Sequence, residues 1–582
     1  MSQQHTFHIP VMGIGFTIDT PLKVSQYGID SVISLVDDGL MEKLRKMYCE
    51  KFNRVYEEIS DIEEDYRAKR ITSYLDLIHD LCTAQFDKVL ASGPSHADYR
   101  KYLQMLPNNA APDNLTMGSI DVNIMTKVDK ANFRNKEKLP QEYNDAHSAV
   151  RGYANSKLNS SLVLSAGMNP RLYSYLENFE DFFADSKGRI KKKIVLKVSD
   201  YRSALIQGKF LAKKGLWVSE YRIESGLNCG GHAFATDGFL MGPILEEFKQ
   251  NRKELEDSVF DLLQKTLSSK EGKKIPRARP SLKITAQGGV GTSEEHQFLL
   301  ENYELDSIGW GTPFLLVPEA TTVDYSTVQK MVAAKEKDLY LSKISPLGIR
   351  FNNLRDNTKD LEKEKLIKKG RPGSSCPKRF LALNNEFKET GICTASRQYQ
   401  DLKIKELNAQ DLSPEEYVDQ FQDITEKSCI CVGLGTSALI RYDLDRKKEG
   451  AGVSICPGPN MAYFSKTMTL EEITDHIYGR NNVIERTDRP HFLIKELSIY
   501  LDYLKDRLVS APVGSKEQKL LTIFIQNLTQ GVQYYNNTLL DVNSGIFNST
   551  RSTIKKELDR SVSELDKLND MVISKFKATE SV

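Results

Sequence analysis

Eight short runs rich in β-branched and apolar residues recur between residues 8 and 315. They are residues 8–15, 29–38, 119–128, 161–167, 192–199, 216–223, 281–289 and 306–315. Stretches with helical spacing or high polarity separate them, which is the pattern of repeated strand–helix units around a parallel sheet. Eight such units suit a (β/α)8 TIM barrel, an α/β fold, better than a doubly wound sheet, although the sequence alone leaves both open.

We expect this barrel to occupy residues 1–350. A helical insertion is expected at residues 39–105, because Met41, Leu44 and Phe52 begin a series of apolar residues at helical spacing. The insertion follows the second predicted strand and precedes the third, so it would lengthen one strand–helix connection of the barrel.

Two further regions follow the barrel. Residues 351–460 hold five of the eight cysteines and many turn residues, so we expect an irregular, cysteine-containing extension there. Residues 461–582 return to helical spacing and end in a heptad-like apolar series from Ile554 to Val572. Such a helix packs either on the body of its own chain or on a second copy, so a homodimer through the C-terminal helices is one expectation.

The charge balance narrows the class of partner. Lys and Arg number 80 and Asp and Glu 79, giving a formal net charge of +1, whereas proteins dedicated to nucleic acid or anionic membranes usually carry a large basic excess. The first residues do not have the pattern of a signal peptide, and no apolar run approaches the ~18 residues that a membrane-spanning helix needs. We therefore expect a cytoplasmic protein with reduced cysteines and without a membrane or nucleic-acid partner.

Two glycine-containing loops follow the last two predicted strands, AQGGVGTSEE at 286–295 and GWGTPFL at 309–315. Loops at this place in a barrel commonly bind phosphate, because backbone amides point at the anion and glycine lets it approach closely. Their spacing matches neither the dinucleotide-binding motif nor the P-loop. They predict a phosphate site, although either glycine pair by itself is also typical of a tight turn.

A third segment, ESGLNCGGHAF at 224–234, places two glycines directly before His232. A neutral imidazole can remove or supply a proton α to a nitro or carbonyl group. A histidine in an isolated loop is, however, more often a hydrogen-bonded turn residue, so its neighbours decide the interpretation.

Together, HIPVMGIGFTIDT, ESGLNCGGHAF, SLKITAQGGVG and DSIGWGTPFLLVPEA resemble the flavin-dependent nitronate monooxygenases and the related flavin enoyl-acyl-carrier-protein reductases. The resemblance covers about residues 8–350, and the four segments occur in the order found in those families. This chain departs from them by three residues, Leu227, Asn228 and Cys229, inserted after Gly226. We expect these three inserted residues to alter the substrate pocket.

The resemblance implies a TIM barrel that holds FMN non-covalently, with His232 as the catalytic acid or base. Lys197 would offset negative charge at the N1–C2=O edge of the flavin, although a surface lysine at a strand end is an equally good interpretation. The cofactor-binding positions that follow from the resemblance and the glycine loops are Pro10, Met12, Gly13, Asn123, Lys197, Gly230, Gly231, Gly288, Gly289, Gly309, Gly311 and Thr312.

The cysteines of the extension form a second candidate site. Thiolates beside Gly and Pro resemble the loops that hold zinc or an iron–sulfur cluster. No C-x2-C pair is present, and buried cysteines are also common in protein cores, so both interpretations stay open. The candidate metal ligands are Cys376, Cys393, Cys429, Cys431 and Cys456.

These features favour an FMN-dependent oxidoreductase of the nitronate monooxygenase-like or enoyl reductase-like type. Its substrate would be a small or carrier-bound nitro, carbonyl or enoyl compound, with dioxygen or NAD(P)H completing the reaction. One alternative is a flavin-binding barrel that serves a larger biosynthetic or modification complex through residues 351–582. Another is an iron–sulfur or metal-assisted enzyme that acts on nucleic acid through the cysteines and local basic runs.

Overall fold

The computed structural model describes residues 5–107, 114–165, 167–229, 237–510, 515–541 and 546–577. Its strands are β1 Phe7–Ile9, β2 Asp30–Ser34, β3 Ile120–Ile124, β4 Phe133–Arg134, β5 Glu137–Lys138, β6 Ser161–Leu164, β7 Lys193–Val198, β8 Val218–Glu224, β9 Lys283–Gln287, β10 Ser307–Gly309, β11 Leu339–Ser342 and β12 Phe351–Leu354. Its helices of five residues or more are α1 Thr20–Val24, α2 Asp38–Lys51, α3 Tyr66–Ser92, α4 Ala97–Met105, α5 Asp145–Ala154, α6 Pro170–Tyr175, α7 Tyr201–Ala212, α8 Met241–Ser268, α9 Ser293–Asn302, α10 Tyr325–Ala333, α11 Thr358–Lys368, α12 Arg397–Asn408, α13 Pro414–Thr425, α14 Ile430–Arg441, α15 Leu470–Ile477, α16 Phe492–Ser510, α17 Ser515–Leu539 and α18 Arg551–Lys577, with short 3-10 turns between them.

Eight parallel strands close into a barrel in the order β1-β10-β9-β8-β7-β6-β3-β2. Every neighbouring pair is parallel, and each of the eight β-rich sequence runs contributes one strand. The (β/α)8 TIM barrel is therefore confirmed, and the doubly wound sheet is excluded because the first and last strands pair with each other.

The barrel interior has a polar amino-terminal end. A small cavity of about 90 Å³ there is lined by His8, Asp121, Glu220, Arg222 and other polar or charged side chains. Glu220 accepts hydrogen bonds from Arg222 Nε at 2.7 Å and from Thr285 Oγ1 at 2.5 Å. The burial cost of these charges is thus offset by direct pairing.

A small apolar layer also lies within the buried part of the barrel. Val11, Val32, Val163 and Val195 form a hydrophobic cluster separate from the large core outside. Since successive side chains of a strand alternate in direction, Val195 marks the inward face of β7, and Lys197 two residues later points inward as well.

Residues 39–105 hold most of α2 and all of α3 and α4, which lie between β2 and β3. The side chain of Asp37 caps α2 by accepting a hydrogen bond from Leu40 N at 3.0 Å. Helix α3 buries Ile71, Tyr74 and Ile78, and its Tyr74 hydroxyl donates to the Ile18 carbonyl at 3.0 Å. The helices therefore pack on the loop after β1 as well as on each other.

Residues 351–460 contain four helices, α11 to α14, where the sequence led us to expect an irregular region. The difference has a physical reason. Helix α11 is rich in lysine and glutamate with little apolar periodicity, and α14 contains Gly433 and Gly435, so neither shows the usual amphipathic pattern. The amino-terminal ends of α11, α12 and α13 are fixed by side-chain caps at Asn357, Ser396 and Ser413.

The C-terminal helices pack on the same chain. In α18 the residues Ile554, Leu558 and Leu565 of the heptad-like series are buried, and this helix contacts α16 and α17. The homodimer through these helices stays a prediction. In the described part of the chain, no helix is long and apolar enough to cross a membrane.

Candidate functional site

Four polar side chains converge at the carboxyl end of the barrel interior. Asn123 on β3, Lys197 on β7, Glu224 on β8 and Gln287 on β9 each lie two residues beyond an inward-facing residue of the same strand. The period of two along a strand therefore brings them into one layer. In TIM barrels the carboxyl ends of the strands are the place where catalytic and binding groups gather.

Glu224 organises this layer. Its Oε1 lies 2.9 Å from Lys197 Nζ and accepts hydrogen bonds from Asn228 Nδ2 and from Gln287 Nε2, both at 2.7 Å. Gln287 Nε2 also donates to Asn228 Oδ1 at 3.1 Å. Glu224 opens the segment ESGLNCGGHAF, but its role could not be read from the sequence because its partners come from β7 and β9.

One oxygen of the layer is available to a ligand. Asn123 Oδ1 is buried and has no hydrogen-bond partner among the described residues. The Gln287 side chain also interacts with His8 of β1. A buried acceptor without a donor is costly unless a ligand or water satisfies it. The rim of a flavin ring presents an N–H donor and carbonyl acceptors, so an amide oxygen beside a lysine fits such a ring.

The predicted residues after β1 meet the loop after β10. A Cβ at Gly311 would lie 3.6 Å from both Met12 Sδ and Pro10 Cγ, and 3.0 Å from Cys229 Cβ. Gly13 lies in the same loop, next to Phe16 and near Leu434 of α14. The structure thus brings Pro10, Met12 and Gly311 together, and their role in binding the cofactor stays a prediction.

The two glycine loops make their close contacts with protein groups. Gly288 and Gly289 have φ angles of +119° and +87°, and a Cβ there would lie 2.6 Å from Ser225 Oγ and 2.4 Å from Leu227 Cδ1, respectively. Gly309 lies equally close to the Gln287 side chain. Glycine is required here because the loop after β8 packs directly on the backbone.

Thr312, the predicted hydroxyl of the phosphate site, donates to the Pro457 carbonyl at 2.7 Å. The segment containing Pro457 belongs to the C-terminal extension, so the extension reaches the mouth of the barrel. A phosphate that used the Thr312 hydroxyl would compete with this hydrogen bond.

The three inserted residues form much of the surface on which the extension docks. Asn352 Nδ2 donates to the carbonyls of Gly226 and Asn228 at 3.3 and 3.4 Å, and Cys229 Sγ donates to the Cys456 carbonyl at 3.3 Å. Burial raises the pKa of the Cys229 thiol well above its usual value, so this group stays protonated near neutral pH. Asn228 and Cys229 of the three inserted residues thus contact Asn352 and Cys456, respectively.

The predicted catalytic residue His232 and its neighbours Gly230 and Gly231 lie outside the described residues. Their two flanks are described. Cys229 is buried beside Gly311 on one side. On the other side Met241 N, at the start of α8, donates to Glu496 Oε2 at 2.9 Å.

A buried ion pair holds the first glycine loop to the 461–582 region, and no motif in the sequence indicates it. Arg489 binds Glu295 with two hydrogen bonds of 2.7 and 2.9 Å, and its Nη2 also donates to the Gly289 carbonyl at 2.9 Å. Glu295 in turn accepts from Gly291 N at 2.9 Å. Burial opposes ionisation of Glu295, but Arg489 and His491 outweigh it and hold its pKa below the usual value.

The five candidate metal ligands separate into two groups. The thiols of Cys376, Cys393, Cys429 and Cys431 form a chain of contacts in which Cys376 hydrogen-bonds with Cys393 and Cys429, and Cys429 with Cys431. Cys456 lies elsewhere, beside Cys229 at the barrel mouth. Residues 374–376 and 393–396 meet through a parallel bridge between Ser374 and Ser396, which no sequence motif announces.

The four-thiol cluster holds one favoured thiolate. Hydrogen bonds from the Cys376 and Cys431 thiols lower the pKa of Cys429 well below its usual value, with help from the backbone N–H of Val432. Hydrogen bonds with Cys393 and Cys429, together with burial, raise the pKa of Cys376, and the hydrogen bond with Cys429, together with burial, raises the pKa of Cys431. Across the described ranges, no group of three or more His, Cys, Asp or Glu side chains is arranged to hold a metal ion. The metal site on these cysteines stays a prediction.

Comparisons with known proteins found structural neighbours of low similarity and no sequence match. No protein-family model and no curated protein matches this sequence. The enoyl reductase domain of MlnA from the macrolactin biosynthesis cluster of Bacillus amyloliquefaciens is similar in structure, with a TM-score of 0.40, 12% identity, and coverage of 82% of this chain and 94% of that chain. FabK from Thermotoga maritima has a TM-score of 0.34 and 12% identity over 86% of this chain and 95% of its own.

Proposed function

We propose that this protein is a flavin-dependent oxidoreductase that binds FMN at the carboxyl end of its barrel. The observation that carries the proposal is the layer of Asn123, Lys197, Glu224 and Gln287, in which one cation and one unpartnered amide oxygen, that of Asn123, lie at the strand ends. The resemblance of the strand-end segments to flavin enzymes supports the same cofactor.

Bound FMN would supply the transfer of electrons to and from the substrate. Lys197 would lie against the edge of the ring that becomes negative, where its charge is held in place by Glu224. Asn123 and Gln287 would accept hydrogen bonds from the ring. His232 would remove or supply the proton on the substrate, since an imidazole exchanges protons near neutral pH.

The first experiment measures cofactor content. Purified protein is expected to show the visible flavin absorption band, and heating should release FMN in a ratio close to one per chain. Protein that is colourless as purified, and that takes up no FMN when the cofactor is added, would refute the proposal.

The second experiment tests His232. We expect His232→Ala to retain FMN and to lose turnover by a factor of about 100 or more, in line with the usual contribution of general acid–base catalysis. His79→Ala, which removes a histidine from α3, is the matched control. Equal activity of the two variants would remove His232 from the mechanism.

The substrate class is tested by two assays on one sample. An enoyl reductase would oxidise NADPH or NADH only when an enoyl thioester is present, whereas a nitronate monooxygenase would consume dioxygen when a nitronate is added. We propose the substrate is an enoyl, carbonyl or nitro compound, and NAD(P)H oxidation is therefore also measured with a carbonyl compound. Inactivity of FMN-loaded protein with all three classes would exclude this part of the proposal.

A further inference from the structure

The extension contains a large open cavity whose charges are unbalanced. It has a volume of about 740 Å³ and lies between the loops before α12 and the start of that helix. Four cationic side chains line it, namely Arg371, Arg379, Lys388 and Arg397, with a single acidic residue, Asp401. A volume of this size is within the range of small-molecule binding sites.

No carboxylate in the described part of the chain pairs with any of the four cations. Within the described ranges none of them makes an ion pair, although this chain has many others, and Asp401 is already bound to Lys405 at 2.8 Å. Arg379 donates only to the Gly391 carbonyl, at 3.0 Å. The Nε of Arg397 is buried without a hydrogen-bond partner. Unpaired cations around one cavity attract an anion.

The donors suit a phosphate group. Guanidinium groups bind phosphate through two parallel hydrogen bonds, and three of the four cations are arginines. Serine hydroxyls at Ser374 and Ser396 add further donors to the same wall. The cavity is much larger than a phosphate ion, so its ligand would carry an organic part.

The cavity adjoins the rim of the barrel. Lys378, two residues after Cys376 of the cavity wall, is ion-paired with Asp37 directly before α2. Phe380 borders a small hollow that it shares with Val36 and Ile124 at the ends of β2 and β3. A ligand anchored by its phosphate in the cavity would thus lie beside the face that carries the candidate site.

We propose that this cavity is a binding site for an organic phosphate that takes part in the reaction. The two sources with this chemistry are a phosphorylated nicotinamide dinucleotide and the phosphopantetheine arm of a carrier-bound acyl group. The binding of an organic phosphate follows from the cavity itself, and only its assignment to the electron donor or to the acyl substrate rests on the proposed function.

The test is calorimetric titration of the full chain with NADPH, NADH, pantetheine 4′-phosphate and pantetheine. We expect one phosphorylated compound to bind, and to bind at least tenfold more tightly than its counterpart without that phosphate. Preference for NADPH over NADH would identify the donor, and preference for pantetheine 4′-phosphate over pantetheine would identify the acyl arm. Failure of NADPH and pantetheine 4′-phosphate to bind, or binding of each no tighter than that of its counterpart, would overturn the proposal.

Variants of the cavity arginines test whether the phosphorylated compound binds in the cavity. Arg379→Gln and Arg397→Gln should each weaken it about tenfold, since each removes a charge-assisted hydrogen bond to phosphate. Arg371→Gln changes an exposed side chain and provides the same test without risk to folding. Lys369→Gln removes an equal charge two residues away, outside the cavity, and should leave the affinity within about twofold.

Equal affinity in the Arg371→Gln, Arg379→Gln and Lys369→Gln variants would also overturn the proposal, because it would place the phosphate elsewhere. FMN content is measured in the same samples. Protein without flavin that still loses phosphate binding on Arg379→Gln would support this site and refute the proposed function. Flavin-loaded protein whose phosphate binding is unchanged by the arginine variants would support the proposed function and refute this site.

Discussion

Glu496 is a buried carboxyl that joins three parts of the molecule. Its Oε2 accepts hydrogen bonds from Met241 N at 2.9 Å and from the Tyr535 hydroxyl at 3.4 Å, and burial raises its pKa to about 7. The folded protein therefore holds this proton over a pH range in which the unfolded chain loses it. The free energy of unfolding falls as pH rises from about 4.5 to about 7, and changes little from this group outside that window.

We expect Glu496→Gln to remove this pH dependence, because glutamine keeps the shape of the side chain and does not ionise. Relative to the parent protein the variant should gain up to about 3 kcal/mol between pH 4.5 and pH 8. Thermal unfolding at several pH values checks this. Glu301→Gln, a change of an exposed carboxylate on α9, should run parallel to the parent, and a parallel profile for Glu496→Gln would contradict the assignment.

The pair of Lys197 and Glu224 allows a second test at the scale of residues. Glu224→Gln leaves the buried lysine without its anion, which costs about 3–5 kcal/mol when one partner of a buried pair is removed. The double variant Lys197→Met with Glu224→Gln removes both charges and should recover part of that loss. Urea unfolding of both single variants and the double variant gives the coupling energy. Additive losses would mean that the two groups do not depend on each other.

The sequence predicted the positions of some of these residues but not their contacts. The resemblance implied that Asn123 and Lys197 lie at strand ends, and each is the last residue but one of its strand. The partners of Lys197 were not predicted, since the contact with Glu224 depends on the register of β7 and β8. Arg489 and Glu295 are 194 residues apart, and no local pattern indicates such a pair.

At the scale of elements, α14 is the helix that covers the loop after β1. Gly15 N donates to the Leu434 carbonyl at 2.9 Å, and a Cβ on Gly15 would lie 3.1 Å from the Gly435 Cα. All eight barrel strands were predicted from sequence, but α14 was not, because its buried glycines and small residues carry no periodic pattern. Close backbone packing, rather than amphipathicity, holds it in place.

Replacing the two glycines of α14 by alanine should affect stability in opposite directions. A Cβ on Gly433 would lie 2.8 Å from the backbone N of Ser454, so Gly433→Ala should cost about 1–3 kcal/mol through overpacking. A Cβ on Gly435 would have its nearest neighbour at 3.4 Å, and Gly435→Ala should be neutral or stabilise by up to about 1 kcal/mol through helix propensity. Thermal unfolding of the two variants tests this difference. Equal shifts in their unfolding temperatures would contradict this account of the packing of α14.

At the scale of the whole molecule, the barrel and the extension share one hydrophobic core. Buried residues of the barrel, such as Ile308, belong to the same cluster as Ile455 and Leu497 of the later regions. The cytoplasmic location and the homodimer stay predictions. The sequence divided the chain at residue 350, because composition changes there. It did not show that the later part reaches back to the glycine loops, since those contacts join residues distant in sequence.

Arg489 is the residue on which this connection can be tested. It binds Glu295, the Gly289 carbonyl and, at 2.9 Å, Asn460 Oδ1, so it joins the loop after β9 to two segments of the extension. Arg489→Met would leave Glu295 buried without its cation. We expect a loss of about 3–5 kcal/mol in the free energy of unfolding, together with faster proteolytic cleavage in the 457–491 segment.

Arg486→Met is the matched control, three residues earlier in the same segment. Arg486 binds Glu336 and Asp488 in a more exposed pair, which contributes about 0–1 kcal/mol. If both variants unfold at the parent temperature, the buried pair does not hold the extension to the barrel. If Arg489→Met instead splits the melting curve into two transitions, this pair is what makes the barrel and the extension unfold as one unit, because removing it frees the glycine loops from the covering segment.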